Sequence, residues 1–267
     1  MGQLKAFLVR DFFIESSYRL SFVMSLSTIL FSTTTFFFIS ELIGKSADPF
    51  LSEYDTDYFS FVIIGVAFSG YYTLGLSAFA RALRQAQTTG TLEAMVLTPA
   101  SLPTIVVGSA LWSYLLTTIR VFIYLLLGTL IFSLRLENAN FLGATFSLLL
   151  SIVTFASIGI ISAGIILVIK RGEPLTMLFA TFASLVGGIY YPVAIMPPWL
   201  QFIAKLVPVT YAVRSMRLAL LAGATWSELA QDLMVLGIFT LILFPLSLVV
   251  FRKALIQARL EGSLTHY

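Results

Sequence analysis

The chain contains no cysteine, and its one histidine, His266, is next to the last residue. Disulfide frameworks and thiolate metal sites are thereby excluded, and zinc or haem chemistry has no ligand set to draw on. A serine hydrolase would need a base beside its serine, and His266 cannot serve the apolar body of the chain. Charge is scarce too: 11% of the 267 residues are Asp, Glu, Lys or Arg, against roughly a quarter in an ordinary globular domain. No acidic residue stands at the middle of any long apolar run, so an aspartyl intramembrane protease or a proton-coupled carrier lacks its working groups. What fills the chain is apolar: 58% of residues are hydrophobic and the mean hydropathy is +0.96. Lipid is the solvent such a composition calls for. The net charge of +3 then reflects loops biased toward Lys and Arg, not nucleic-acid binding.

A spanning helix needs about 20 mainly apolar residues to cross roughly 30 Å of hydrocarbon. Six stretches qualify, near 20–43, 60–80, 104–132, 142–169, 175–195 and 233–251. Six spans place both termini on one side. That side holds Lys5, Arg10, Arg19, Arg81, Arg84, Lys170, Arg171, Arg252, Lys253 and Arg259, ten in all, against five on the other: Lys45, Arg135, Lys205, Arg214 and Arg217. The positive-inside rule puts both ends in the cytoplasm, and Asp48, Glu53, Asp55 and Asp57 in the first outer loop fit that orientation. The expectation is an all-α membrane protein, one transmembrane domain over residues 1–267, with the first span directing insertion. The tail after Arg252 is too short for a domain, so a soluble engine is expected on another polypeptide.

Between the spans, three features carry information. Residues 3–19 interleave Leu4, Phe7, Leu8 and Phe12 with Lys5, Asp11, Glu15 and Arg19, a pattern for a helix in the cytoplasmic interface or an extension of the first span. Residues 196–231 are apolar yet broken at Pro197, Pro198 and Pro208, with Arg214 and Arg217 inside a helix-compatible stretch. Pieces too short to span read as two short re-entrant helices in the outer leaflet. Small residues recur at helical spacing as Gly65, Ser69, Thr73 and Ser77, and again as Ala180, Ser184 and Gly188. Such stripes serve packing within a subunit, a subunit interface or a substrate-lining face.

Arg120 lies inside the third span, sixteen residues after Thr104, roughly 24 Å along the helix at 1.5 Å per residue. A charge there costs on the order of 2.5–3.5 kcal/mol on insertion scales. It either bonds backbone and snorkels outward or forms a polar wall near a path for cargo. Gly44-Lys45-Ser46 resembles the end of a phosphate-cradling loop, but the position that loop reserves for another glycine is Ile39. Phosphate binding by that motif is excluded.

Two stretches carry a resemblance. Thr89-Gly90-Thr91-Leu92-Glu93 through Leu97-Thr98-Pro99 is similar to the cytoplasmic signature of ABC-2-type exporter permeases. Gly187-Gly188-Ile189-Tyr190-Tyr191-Pro192 through Met196-Pro197-Pro198-Trp199-Leu200, then Pro208-Val209-Thr210-Tyr211, resembles the same family's fifth-span exit and outer re-entrant region. The six-span layout matches across essentially the whole chain. One departure is that Gln85, Gln87 and Thr88 lie between Arg84 and the first signature, where the family often carries charge. The resemblance implies a transport subunit, itself not an enzyme, in a bacterial cytoplasmic or inner membrane. It implies pairing with a second permease copy and with ABC ATP-binding subunits, which hold the ATP and Mg. It further implies a cytoplasmic coupling helix in the Arg81 to Thr98 hairpin, with Arg84, Thr91, Leu92, Glu93, Met95 and Leu97 as candidate motor contacts. Tyr190, Tyr191, Pro192, Trp199, Tyr211, Arg214 and Arg217 become the outer re-entrant set, for which interfacial anchoring of Tyr and Trp is the plainer role.

Family members export polysaccharides, lipid-linked glycans, hydrophobic drugs and other amphiphiles, so the resemblance leaves the cargo open. Phe31, Phe36, Phe37, Phe38, Phe68 and Phe79 near the first two spans suit a lipid-like or hydrophobic molecule, and equally suit contact with lipid. The competing readings are a stand-alone channel or secondary carrier, and a membrane scaffold without transport.

Overall fold

A computed structural model describes residues 8–13, 19–88, 102–169 and 173–260. Every long regular element among them is helical: α1 (Arg19–Ile43), α2 (Tyr58–Thr88), α3 (Leu102–Ile131), α4 (Phe141–Ile169), α5 (Glu173–Val186), α6 (Pro198–Ala204), α7 (Pro208–Leu220) and α8 (Trp226–Leu260). Residues 8–13 are helical as well, with Phe12 edge-on to Trp112 of α3 at 5.9 Å. The chain is thus an all-α membrane protein.

Five of these helices are long and apolar enough to cross a membrane. Burial ranks them: 78% of the apolar window of α2 is buried, against 11% in the first helix and 17% in α3 and α8. So α2 is the axis of the bundle, flanked by α3, α4, α5 and α7, while α1, α3 and α8 turn apolar faces outward. Burial on α2 runs round the helix: Phe61, Ile64, Tyr72, Leu76 and Phe79 lie on one side and Phe59, Val62, Ile63 and Ala78 on the others, all buried, as for a helix at the centre of a bundle. Between α1 and α2 the chain is compact rather than loose. A 3-10 turn (Gly44–Ala47), a short helix (Asp48–Leu51) and a second 3-10 turn (Ser52–Tyr54) bury Leu51 and Tyr54 against the bundle.

The fifth apolar stretch differs from its expectation over 175–195. Its helix stops at Val186 after 14 residues, about 21 Å at 1.5 Å per residue and short of the roughly 30 Å of hydrocarbon. Gly187-Gly188 ends it, with Gly188 at φ +76°, a conformation open to glycine at little cost. The apolar composition continues beyond that point, which is why hydropathy alone overran the helix. The last helix differs in the other direction, beginning at Trp226 rather than near 233. Thr225 and Glu228 form the Glu half of a capping box: the Thr225 amide and hydroxyl donate to Glu228 Oε2 at 2.7 and 2.9 Å, so that Glu228 satisfies the Thr225 amide at the helix start.

The two short helices expected between residues 196 and 231 are α6 and α7, each with proline in its first turn, where the missing N–H costs nothing. Helix α7 is buried along ten of its residues and packs on α4, α8 and α2. Its C-terminal end is tied to the start of α4. The Asn140 amide N–H donates to the Ala219 carbonyl at 2.8 Å, its side-chain Nδ2 donates to the Ala224 carbonyl at 2.8 Å, and its Oδ1 accepts from Gly143 N at 2.9 Å.

Candidate functional site

The α2 and α5 helices run side by side in opposite directions, and the two ends of their seam are built differently. At one end sits Arg217 of α7, 2% exposed. Its guanidinium donates to three backbone carbonyls: Nε to Phe61 at 2.9 Å, Nη1 to Gly188 at 2.7 Å and Nη2 to Ile189 at 2.6 Å. It also lies 3.4 Å over the Phe61 ring, a cation–π geometry. Burial pulls its pKa down to about 9, with the neighbouring Tyr54 and Tyr58 acting in opposition. The group remains a cation at neutral pH. An arginine serves here because its planar fork presents several donors in fixed directions, which an ammonium does not. The close approach leaves no room at Gly65 of α2, where a Cβ would collide with Arg217 Nη2 and the Ile189 carbonyl.

One turn earlier on α7, Arg214 bridges two carboxylates. It donates to Glu53 Oε1 at 3.0 and 2.5 Å and to Asp232 Oδ1 of α8 at 3.0 Å. Partial desolvation works against its charge, but the Glu53 hydrogen bond and the Asp232 and Glu53 charges outweigh that and raise its pKa. Asp232 is fully buried, and its Oδ2 has no hydrogen-bond partner among the described residues. Two adjacent arginines therefore lock α7 to α2, to the α5 exit turn, to the first loop and to α8.

At the other end of the seam the helices part. A cavity of about 360 Å³ opens there, backed by Ile166 of α4. Its polar lining comes from Thr73 and Ser77 of α2 and Thr181 and Ser184 of α5, with Arg81 and Arg84 beside them. Ser77 donates to the Thr73 carbonyl at 2.8 Å and accepts from Arg81 Nη2 at 2.7 Å, aligning that guanidinium along the wall. From Phe61 to Thr73 is twelve residues, about 18 Å of helix, so the clamp and the cavity occupy separate levels of one seam. The Tyr72 hydroxyl, donating to the Ala180 carbonyl at 3.4 Å, lies between them.

The structure brings together part of the expected site. Thr73, Ser77, Ala180 and Ser184, drawn from both small-residue stripes, meet across the cavity. Gly65 and Gly188 from the same stripes meet Arg217 instead. Tyr190 accepts from the Tyr58 hydroxyl through its carbonyl at 3.1 Å and stacks with Phe36 at 6.2 Å. Tyr191 and Pro192 are half-buried in the exit turn. Trp199 is 65% exposed on α6, and the Tyr211 hydroxyl donates to the Lys205 carbonyl at 2.9 Å. Arg120 stands apart on α3, exposed, with Nη2 3.4 Å from Ser25 Oγ of α1. Gly44-Lys45-Ser46 forms part of a 3-10 turn after a helix, not the strand-to-helix loop that cradles phosphate. Thr91, Leu92, Glu93, Met95 and Leu97 lie outside the described residues, while Arg84 lies at the cavity. Asp232 and Phe61 entered the site unannounced. The acidic residue sits at the very edge of its apolar run, and a carbonyl acceptor leaves no mark in sequence.

Compared with known families, the chain matches the ABC-2 type transporter over residues 2–221. Among curated proteins none matches.

Proposed function

Since the chain belongs to the ABC-2 type transporter family and is therefore a permease component of an ABC transporter, we propose that it exports an amphipathic cargo using ATP hydrolysed by a separate subunit. The observation that carries this reading is the family match across residues 2–221. A chain with this layout and no phosphate-binding loop needs an external source of work, and ATP with Mg belongs to the partner. In this reading the chain sits in a bacterial cytoplasmic membrane with both termini inside, paired with a second permease copy. The end of α2, through Arg84, and the hairpin after it, through Thr91, Leu92, Glu93, Met95 and Leu97, receive the motor.

The cavity between α2 and α5 is then the inward-facing entrance of the path, and the Arg217 clamp is its closed outer end. Two features support that assignment: α2 leads directly from the cavity wall into the hairpin, and clamp and cavity share one seam. A motor pushing on the hairpin would displace α2 at Arg81 and Arg84 and strain its contact with α7 at Phe61. Cargo would leave when the clamp lets go. Glu93→Arg and Met95→Asp are expected to abolish transport and stimulated ATPase in the purified complex while the chain still inserts. Full transport and stimulation in both variants would remove the hairpin from the coupling role.

A further inference from the structure

Helices α4 and α8 run parallel in one register. A Cβ on Gly143 would meet Leu229, Thr154 shares a hydrogen bond with Thr240 at 2.7 Å, and a Cβ on Gly164 would touch Val250. Each pair lies 86 residues apart, which sets Ser147 opposite Leu233, beside Asp232. The faces agree as well. Ser147 follows Gly143 by four residues and precedes Thr154 by seven, while Asp232 follows Leu229 by three and precedes Thr240 by eight, so each lies on the stripe turned to the other helix. Both side chains are orphaned there. They are 0% exposed, and Ser147 Oγ and Asp232 Oδ2 have no hydrogen-bond partner and next to no surface that a water could reach. The serine breaks the habit of its helix: Thr145, Ser151, Thr154 and Ser157 each donate to the carbonyl four residues back at 2.7–2.9 Å, and Ser147 does not. Buried oxygens without a bond are costly, and a carboxylate has no hydrogen to give. A bridging water needs room of its own, which this packing does not leave.

We propose that the junction of α4, α7 and α8 is a binding site for one proton. Taken up from solution at Asp232 Oδ2, the proton turns the carboxylate into a carboxylic acid that donates to Ser147 Oγ. The serine hydrogen turns to the Gly143 carbonyl, as its neighbours' hydrogens do to theirs. Both orphaned oxygens are then bonded without added volume, and Oδ1 still accepts from Arg214. The groups facing Asp232 are few. From α7 come Arg214 and, one turn earlier, Tyr211. From the first loop come Glu53 and Tyr54, and on α8 itself the next acid is Glu228, held by Thr225. Helix α4 carries no ionisable side chain, so a neutral hydroxyl is all it offers the acid. With Asp232 neutral, Glu53 is the one carboxylate left to Arg214. Acidification thus loosens the tie between α7 and α8 while the three carbonyl bonds of Arg217 stay as they are.

Infrared difference spectra of the full-length chain in detergent, taken as the pH is lowered, read the acid directly. A carboxylic-acid carbonyl band is expected that is missing from Asp232→Asn and moves to higher frequency in Ser147→Ala, where the acid has lost its acceptor. Amide hydrogen exchange reads the consequence. With intrinsic rates divided out, protection of α7 should fall about tenfold on acidification, the gap between a charge-assisted and a neutral hydrogen bond. Asp232→Asn, which has no charge to lose, should show the low-pH value throughout. Spectra of wild type and Asp232→Asn that agree at every pH overturn the proposal, and so does wild-type α7 protection that ignores pH. A water O–H band that shifts in heavy-oxygen water, with no acid band, gives the junction to a water and overturns it too. Should Asp232→Asn fail to fold, Ser147→Ala decides, because an acid band that stays in place there removes Ser147 as the acceptor and the proposal with it. The spectra need neither ATP nor a partner, so their failure would leave the exporter reading standing.

Discussion

At Arg217 one side chain joins three elements, and its worth is set by what its removal strands. Arg217→Lys would leave the carbonyls of Phe61, Gly188 and Ile189 sharing one ammonium. Each buried group left unsatisfied costs about 1–3 kcal/mol, so a loss of about 2–4 kcal/mol is expected, read as a lowered unfolding midpoint in detergent. Gly65→Ala pushes a methyl into the same bond and should destabilise as well. The double variant should cost less than the sum, since both changes break one contact. Additive losses would mean that Gly65 acts elsewhere. Arg214→Gln removes the counter-ion of the buried Asp232. The expected loss is about 2–3 kcal/mol, below that of a fully buried pair because the Arg214 side chain is 34% exposed. Restoring stability by adding Asp232→Asn to that variant would confirm the stranded charge as the cause. None of this was legible in the charges alone. The sequence marks Arg214 and Arg217 as unusual in an apolar stretch, but their acceptors are carbonyls and a carboxylate brought from far along the chain.

The helices themselves were mostly readable, because hydropathy reports lipid-compatible length directly. Helices α1 to α4 fall where twenty-residue apolar windows place them, and the prolines at 198 and 208 mark the starts of α6 and α7. The two boundaries that moved did so for local reasons. Helix α5 ends at a Gly-Gly pair inside continuing apolar sequence, and α8 gains a polar first turn from the Thr225–Glu228 box. Thr225→Ala removes the hydroxyl that holds Glu228 Oε2 over the Thr225 amide and should raise amide exchange in the first turn of α8. Protection unchanged there would contradict the cap. Packing between helices was less readable. The α2 and α4 backbones touch at Gly75 and Gly159, where a Cβ on Gly159 would meet the Gly75 carbonyl. Gly159→Ala should therefore cost about 1–3 kcal/mol, the range for overpacking, whereas Gly237→Ala on α8, with open space around it, should be neutral or better. The stripe containing Gly65 and Thr73 pointed to one face of α2, and the Gly75 face needed the structure.

Across the whole molecule the distribution of burial is uneven in a way that fits a bundle set in lipid. The first helix, α3 and α8 bury little of their apolar windows, and their outer faces are available to lipid. The described part of the chain holds a seam closed by arginines at one end and open at the other. The most direct measurement is to coexpress the tagged chain with its neighbouring genes, purify it from gentle detergent, and assay the preparation for ATP hydrolysis and for flux in liposomes. The account predicts a stoichiometric ATP-binding protein, vanadate-sensitive hydrolysis and flux only with ATP. A chain that purifies alone and conducts without ATP would contradict it.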